Sequence, residues 1–514
     1  MIFLQNNILY LEPKYRKSFL LLFILSIIYI IPIMIADFDY VDDLGRSLGG
    51  YTKWNFDGRP LVTIISFIFS NGKILMDTSP WLQIVSVFLL DYTIILWLRK
   101  YTASASWFAI SCIGFCAYFN LFMLENLSFH YDSLGMISSI FISIFLYALP
   151  ESIRNRKTLL YTCYAVFFLL CCYQAAIGGF ISLMVIESVY LLYQNETLKN
   201  IFKRFGVRLS GLLIGGILYK LLIANTSIPK GGYSGEHTGM VNIFMSGSIY
   251  QIFNNINSFF DMFYDYGISI GVIGLIFFLI GYLGISYLSY DIWMKRTEQK
   301  GIRLIISLLV FSTPLILLIA SFFTMSLLQK PIYVPRVMIS FTVVSLFMGI
   351  GIYHLSKVKK WVLSVMILMT IFVLSFSSYY GNLLSRQKQM DSIIITSLIH
   401  DINEIENSKD EKINNIAFLG HSPRSKNLIL ATKYRPLFDR LVPIYMDNDY
   451  FWGQVYLYHY RQKPVTCNID GTEREYINVS EPVQSNEYYR LYLDGDKLII
   501  AFIEDSSVPH HQRI

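Results

Sequence analysis

Long apolar stretches constrain this chain more than any other feature. A helix rises about 1.5 Å per residue and the bilayer core is about 30 Å thick, so about 20 apolar residues are needed to cross it. Hydrophobic residues make up 54% of the chain and charged residues only 15%, too few charges for a water-soluble surface. The sequence therefore predicts an α-helical polytopic membrane protein. We predict about eleven transmembrane helices, at residues 19–36, 81–98, 103–124, 133–149, 159–174, 177–193, 207–224, 267–290, 304–325, 337–353 and 361–380.

Basic residues indicate the orientation of these helices. The stretch 159–193 is either two short helices or one span plus a re-entrant segment, and the choice changes the side on which every later loop lies. With two helices, one side holds clusters of Lys and Arg, such as those at 99–100, 154–157 and 295–303, and the other side holds only isolated ones. The positive-inside rule then predicts a cytoplasmic N-terminus and a first outer loop at residues 37–80.

The chain changes character after the last predicted helix. Residues 1–380 form the predicted membrane region, and residues 381–514 have the charge density of a soluble domain. Within this tail, 385–406 is typical of a helix, 416–419 of a buried strand, and 488–502 of a hairpin that turns at Asp494-Gly495-Asp496. We predict a small mixed α/β domain on the outer side of the membrane.

An acidic cluster follows the first predicted span. Asp42 and Asp43 are adjacent, and Arg46 lies one helical turn further on, close enough to keep either carboxylate ionised. Carboxylates gathered at a membrane boundary are costly unless they have a use, so one of the two is a candidate base. The alternative is a solvated acidic loop.

Trp54 and Arg59 follow in the same loop. A guanidinium group binds phosphate through paired hydrogen bonds, and an aromatic face stacks on a sugar, so both residues, with Arg46, are candidates for binding a sugar phosphate. The alternative is an aromatic belt with an arginine that reaches the interface, which is the simpler interpretation of Trp54 alone.

A second polar group is predicted at the same membrane level. It comprises Glu125, His130, Tyr131 and Asp132, which are candidates for acceptor binding or for supporting the site, and each is otherwise an ordinary cap or loop residue. Arg336 is either a phosphate clamp or a helix-end anchor. The sequence requires no metal or other cofactor, although the acids would suit a divalent cation. The basic residues form no continuous face, which argues against nucleic acid as a partner.

These residues carry a resemblance. The stretch 42–51, Trp54 and the Gly58-Arg59-Pro60-Leu61 segment resemble the opening signature of the GtrII-like family, the polytopic bacterial glucosyltransferases that modify O-antigen and convert serotype. Tyr131-Asp132-Ser133 and Tyr173-Gln174-Ala175 are similar to two shorter family landmarks. The likeness fades in the tail.

The resemblance implies a GT-C type fold in the bacterial inner membrane, with the catalytic acid in the first periplasmic loop. The charge pattern then places the C-terminal domain in the periplasm. The resemblance also implies undecaprenyl-phosphate glucose as the donor, partner proteins that make and flip this donor, and a lipid-linked O-antigen as the acceptor. We hypothesise a single inverting displacement in which Asp42 or Asp43 deprotonates the acceptor hydroxyl and Arg59 or Arg336 stabilises the departing lipid phosphate.

Other functions fit parts of the pattern. A transporter or flippase for lipid-linked sugars also needs many helices, but it usually buries ionisable groups near the midplane and often has two related halves. An O-antigen polymerase is a closer alternative, and a non-catalytic membrane scaffold is a third.

Overall fold

A computed structural model describes residues 9–150, 155–242, 244–409, 412–448, 451–461, 466–467 and 473–503. Arg154, which contributes to the predicted charge asymmetry, lies outside these residues. The chain forms two compact units. The first contains residues up to Ile31 and Thr52–Ser378, and the second contains Pro32–Tyr51 and the described part of Tyr379–Arg513. The predicted division at residue 380 stays a prediction.

The first unit is helical. Among the described residues, eight helices of the chain are long and apolar enough to cross a membrane: Pro13–Ala36, Trp81–Leu98, Gln174–Tyr193, Leu198–Ser227, Ser248–Lys295, Lys300–Ser326, Pro335–Ser356 and Lys360–Ser408. Shorter apolar helices lie at Pro60–Phe69, Trp107–Phe119 and Ser133–Ala148, and a further helix at Asn155–Cys172. Each of the eleven predicted segments contains a helix. The eight helices that are long and apolar enough to cross a membrane indicate a multi-pass membrane protein.

Residues 159–193 form two helices. The first ends at Cys172, Tyr173 is extended, and a short 3₁₀ turn at Gln174–Ala176 leads into the helix Ile177–Tyr193. The structure therefore shows two helices in this stretch, and the crossing of the membrane by both stays a prediction.

The segment before the predicted span 267–290 is also helical. The helix runs from Ser248 to Lys295 with a kink at Gly271, whose φ of 58° suits a residue without Cβ. Polar residues of this segment are accommodated in the helix by hydrogen bonds. The buried Asn255 amide, for example, donates to the carbonyls of Ser326 and Leu328 at 2.9 Å each. The loop predicted between the spans 207–224 and 267–290 is therefore shorter than expected, because the later helix begins at Ser248.

The second unit contains a small mixed sheet. Its strands are β1 (Asn415–Leu419), β2 (Thr466–Cys467), β3 (Gln484–Ser485), β4 (Tyr489–Asp494) and β5 (Lys497–Phe502). Their order among the described residues is β2-β1-β5-β4-β3, with β1 parallel to β2 and β5, and the other pairs antiparallel. The predicted strand and hairpin are confirmed, since apolar residues of β1 and β5 alternate into a common core.

The remaining described helices are short. They lie at Asp42–Gly49, Met123–Ser128, Gly232–Glu236, Lys426–Tyr434, Leu437–Leu441, Phe451–Tyr460 and Glu473–Val479. The predicted tail helix 385–406 is the later part of a continuous helix, Leu363–Lys409. Gly381 lies within this helix, where a methyl group would collide with the Pro32 carbonyl oxygen.

Candidate active site

The acidic cluster begins a short helix of the second unit. The helix Asp42–Gly49 starts after Val41, whose φ of 51° is rare for a β-branched residue, and ends at Gly50 in the left-handed conformation. The Gly50 N–H donates to the Arg46 carbonyl at 2.8 Å. Both acids therefore lie in the first helical turn, where the helix dipole favours negative charge.

The two acids have different environments. Asp43 is fully buried, and its carboxylate accepts a 3.2 Å hydrogen bond from the Tyr40 N–H. The Asp42 side chain is 42% exposed, and its carboxylate lies 3.8 Å from the Arg46 guanidinium, the contact that the four-residue spacing predicts. Asp43 is thus built into the helix start, whereas Asp42 presents its carboxylate outward.

Aromatic side chains surround this helix. The Arg46 guanidinium carbon lies 5.9 Å from the centre of the Tyr51 ring. Gly45 allows Tyr51 and Trp452 to approach closely, since a Cβ there would collide with the Tyr51 hydroxyl and lie 3.2 Å from the Trp452 ring. Glycine is therefore required for steric reasons at this position of the Asp-Asp-Leu-Gly-Arg motif.

The other predicted site residues lie in the first unit, where Trp54 is fully buried. Its indole N–H donates to the Asp132 carboxylate at 2.6 Å, and its ring packs with Val62, Leu75 and Tyr131. Residues 78 positions apart in the sequence are thereby joined. The predicted stacking of Trp54 on a sugar stays a prediction, and in this structure the ring orients Asp132.

Glu125 and Arg336 form an ion pair in which the glutamate is buried. The Arg336 guanidinium donates to Glu125 at 2.6 Å, and the Arg336 backbone N–H donates to the second carboxylate oxygen at 2.8 Å. The Asn126 amide donates to the Arg336 carbonyl at 3.0 Å, and the Phe129 ring centre lies 5.5 Å from the guanidinium carbon. Arg336 is therefore fixed to the 125–132 segment by both its backbone and its side chain.

Arg59 is held by uncharged side chains rather than by a carboxylate. Its Nε donates to the Gln174 side-chain oxygen at 3.3 Å, and its guanidinium carbon lies 4.8 Å from the centre of the Tyr173 ring. The Gln174 amide also donates at 2.8 Å to both the Asp57 carbonyl and the Tyr219 hydroxyl. Within the described residues Arg59 makes no ion pair, so its positive charge is available to an anion.

His130 pairs with Asp77. The His130 Nδ1 lies 2.9 Å from the Asp77 carboxylate, and the histidine side chain is almost fully buried. Burial acts to raise the pKa of Asp77, but the hydrogen bond and charge of His130, with the Ser79 N–H, outweigh it and lower the pKa below its usual value. Asp77 is therefore a carboxylate at neutral pH.

Four of the predicted residues of the first unit lie near Tyr173. Its hydroxyl lies within electrostatic range of Arg336, Arg59, Glu125 and Asp132. Tyr173 and Gln174 were identified in the sequence only as a short landmark, without a role. The signal available was their position, because a polar residue that interrupts an apolar stretch needs a hydrogen-bonding partner.

Within the second unit, one group of described residues has the composition of a metal site. His400, Asp401 and Glu404 of the second unit have ligand atoms within 4.8 Å of one another. Asp401 already accepts hydrogen bonds from Tyr489 at 2.7 Å and Gln484 at 2.9 Å. The group lies outside the predicted site residues, and the geometry assigns it no role in transfer.

The described helices and the candidate site define a multi-pass membrane protein that carries paired carboxylate and guanidinium groups. The sequence profile described as Glucosyl transferase GtrII matches residues 14–347, and the chain belongs to this family. The chain is also 27% identical over 438 residues to an uncharacterized 55.3 kDa protein in the gtrB 5′ region of Salmonella phage P22, covering 84% of this chain and 87% of the relative. No solved structure matches the chain.

Proposed function

We propose that the protein transfers glucose from undecaprenyl-phosphate glucose to a sugar of a lipid-linked O-antigen, on the periplasmic face of the bacterial inner membrane. Membership of the glucosyltransferase family supports the sugar and the reaction class. The positive-inside pattern supports a cytoplasmic N-terminus and a periplasmic C-terminal domain from about residue 381. Apolar length supports eleven spans, and family membership supports a GT-C type arrangement. Partner proteins supply and flip the donor.

The observation that carries the mechanism is the difference between the two adjacent acids. Asp42 is exposed and paired with Arg46, whereas Asp43 is buried and bonded to the Tyr40 N–H. A base must reach the acceptor hydroxyl, so we assign this role to Asp42. Asp43 holds the start of the helix.

The transfer proceeds in one displacement. The acceptor oxygen bonds to the anomeric carbon of glucose while the bond from that carbon to the phosphate oxygen breaks, and the hydroxyl proton passes to Asp42. The polyprenyl phosphate leaves with the electron pair. The configuration at the anomeric carbon inverts, so a β-linked donor gives an α-glucoside.

We assign Arg59 to bind the departing phosphate. It has no carboxylate partner among the described residues, whereas Arg336 is neutralised by Glu125. A preorganised guanidinium stabilises charge that grows in the transition state. Arg336 and Glu125 would then support the acceptor side, with Asp132 held by Trp54.

Substitution of the two acids tests this proposal. Asp42→Asn should lower the turnover number at least about a hundredfold because it removes the base, with normal protein levels in the membrane. Asp43→Asn should chiefly lower the amount of folded protein. Activity is measured as glucosyl branches on lipopolysaccharide in cells that hold the donor-making partners, and an Asp42→Asn enzyme that still glucosylates contradicts the assignment.

The same cells distinguish the alternatives. Loss of a branching glucosyltransferase removes a glucosyl branch and leaves the O-antigen chain length unchanged, whereas loss of a polymerase leaves single repeats. A flippase would change the amount of lipid-linked sugar on the periplasmic side without forming a new glycosidic bond.

A further inference from the structure

The helix that carries Asp42 begins at an unfavourable backbone conformation. Val41 has φ 51° and ψ −99°, and a branched side chain disfavours positive φ strongly. Such a conformation persists only where surrounding contacts hold it. The residues that hold Val41 therefore decide the direction in which the first helical turn, and Asp42 with it, points.

Tyr445 of the same unit holds this segment. Its hydroxyl accepts a 3.0 Å hydrogen bond from the Val41 N–H and donates a 2.5 Å hydrogen bond to the Asp39 carbonyl. Its ring stacks on Phe38, with ring centres 5.7 Å apart. One buried hydroxyl thus bonds the backbone on both sides of Tyr40, more than 400 residues earlier in the sequence.

A second bond supports the same segment. The Tyr40 hydroxyl donates to the Leu441 carbonyl at 2.7 Å, while the Tyr40 N–H donates to the Asp43 carboxylate. Tyr40 therefore connects the helix start to the last residue of the helix Leu437–Leu441.

Tyr445 is itself fixed to the sheet of the second unit. The Ser422 N–H donates to the Met446 carbonyl at 2.8 Å, and the Gly420 N–H donates to the Asn448 side chain at 2.8 Å. Gly420 and Ser422 lie in the segment just after β1, so the loop that carries Tyr445 is anchored to an interior strand of the sheet. Contacts of this kind preorganise a group that would otherwise need ordering at each turnover.

We propose that Tyr445 is a positioning residue for the Asp42 carboxylate, and that the sheet-containing part of the C-terminal region serves transfer by fixing the Asp39–Val41 backbone. Without the Tyr445 hydroxyl, Val41 relaxes toward negative φ and the first turn of the helix rotates away from its working direction. This inference rests on the proposed function of Asp42.

The test uses the full-length enzyme in membranes and a matched control. Tyr445→Phe keeps the ring and removes both hydrogen bonds, and it is expected to lower kcat about tenfold, the size expected for one or two lost hydrogen bonds, with little change in KM. Tyr489→Phe is the control, since the buried Tyr489 hydroxyl also makes two bonds, to Ser397 at 3.0 Å and Asp401 at 2.7 Å. Tyr489→Phe is expected to keep the wild-type kcat per folded enzyme.

A second background separates positioning from a general loss of structure. Glycine adopts positive φ without a steric penalty, so in Val41→Gly enzyme the Tyr445→Phe change should lower kcat by no more than about twofold. Where Tyr445→Phe accumulates poorly, Tyr40→Phe tests the same segment through the Leu441 bond, with an expected fall in kcat of about threefold.

The outcomes are distinct. A wild-type kcat for Tyr445→Phe, or for Tyr40→Phe where that variant replaces it, overturns the inference, and so does an equal fall in kcat in the wild-type and Val41→Gly backgrounds. These results leave the proposed function intact as long as Asp42→Asn is inactive. An active Asp42→Asn enzyme instead overturns the proposed function, and the inference falls with it.

Discussion

At the scale of single residues, the charged groups of this protein are distinguished by their partners. Arg336 is neutralised by Glu125, and Arg46 lies beside Asp42, but Arg59 is held by neutral groups, Gln174 and Tyr173. A guanidinium that is oriented without being neutralised keeps its attraction for phosphate. The spacing in the sequence predicted the Asp42–Arg46 contact, because a helix brings residues four apart onto one face.

The turn before Arg59 depends on the absence of a side chain at Gly58. Gly58 has φ 70°, and a Cβ there would collide with the Tyr219 hydroxyl and lie 3.3 Å from the Gln174 amide nitrogen. We expect Gly58→Ala to lower the free energy of unfolding by about 1–3 kcal/mol and to raise the donor KM, because the strained turn displaces Gln174 from Arg59. Thermal unfolding in detergent and donor titration measure both effects.

Gly72→Ala is the matched control for this change. Gly72 is exposed in the same loop, with no positive φ and no atom within 4 Å of an added Cβ. It should leave both quantities unchanged, and equal behaviour of the two variants would show that the Gly58 turn does not position Arg59.

At the scale of elements, the apolar helices are packed through glycines. Gly281 and Gly284 of the helix Ser248–Lys295 face Gly351 of the helix Phe341–Ser356, and a Cβ at Gly351 would lie 2.6 Å from the Gly281 carbonyl oxygen. Small residues let helix backbones approach where no hydrophobic effect drives them together. The length of the apolar stretches predicted that these segments are helices, but it did not predict which helix faces pack against each other.

The tightness of this contact predicts the effect of one methyl group. Gly284→Ala would place its Cβ against the backbone of Gly351, so we expect a loss of about 1–3 kcal/mol of stability as the helices separate. Gly267→Ala in the same helix meets nothing within 4 Å and should be neutral or stabilise by up to about 1 kcal/mol. Melting temperatures in detergent compare the two, and a stable Gly284→Ala protein would contradict the close helix contact.

At the scale of the whole molecule, the proposed chemistry requires that the acidic loop face the periplasm. The charge asymmetry of the loops is the only support for this orientation, because the length and composition of the helices are the same from either side. The proposal is therefore tested most directly by measuring which loops are accessible from outside.

Cysteine labelling measures this orientation. In a background in which the six native cysteines are replaced by serine, Asn71→Cys in the exposed first loop should react with a membrane-impermeant maleimide in cells whose outer membrane alone is permeable. Gln299→Cys, exposed between two long helices, should react only after the inner membrane is opened. The reverse pattern would place Asp42 in the cytoplasm and exclude a periplasmic donor.

The sequence by itself determined the properties that depend on residues close together in the chain. Apolar length predicted the helices, alternation predicted β1 and the β4–β5 hairpin, and a four-residue spacing predicted the Asp42–Arg46 contact. Only the tertiary structure decided the contacts between distant segments, such as Trp54 with Asp132, Gln174 with Arg59, and Tyr445 with Val41. The physical reason is that periodicity predicts which face of a helix or strand is buried. A buried polar group needs a hydrogen-bonding partner, but the sequence does not show which distant segment supplies it.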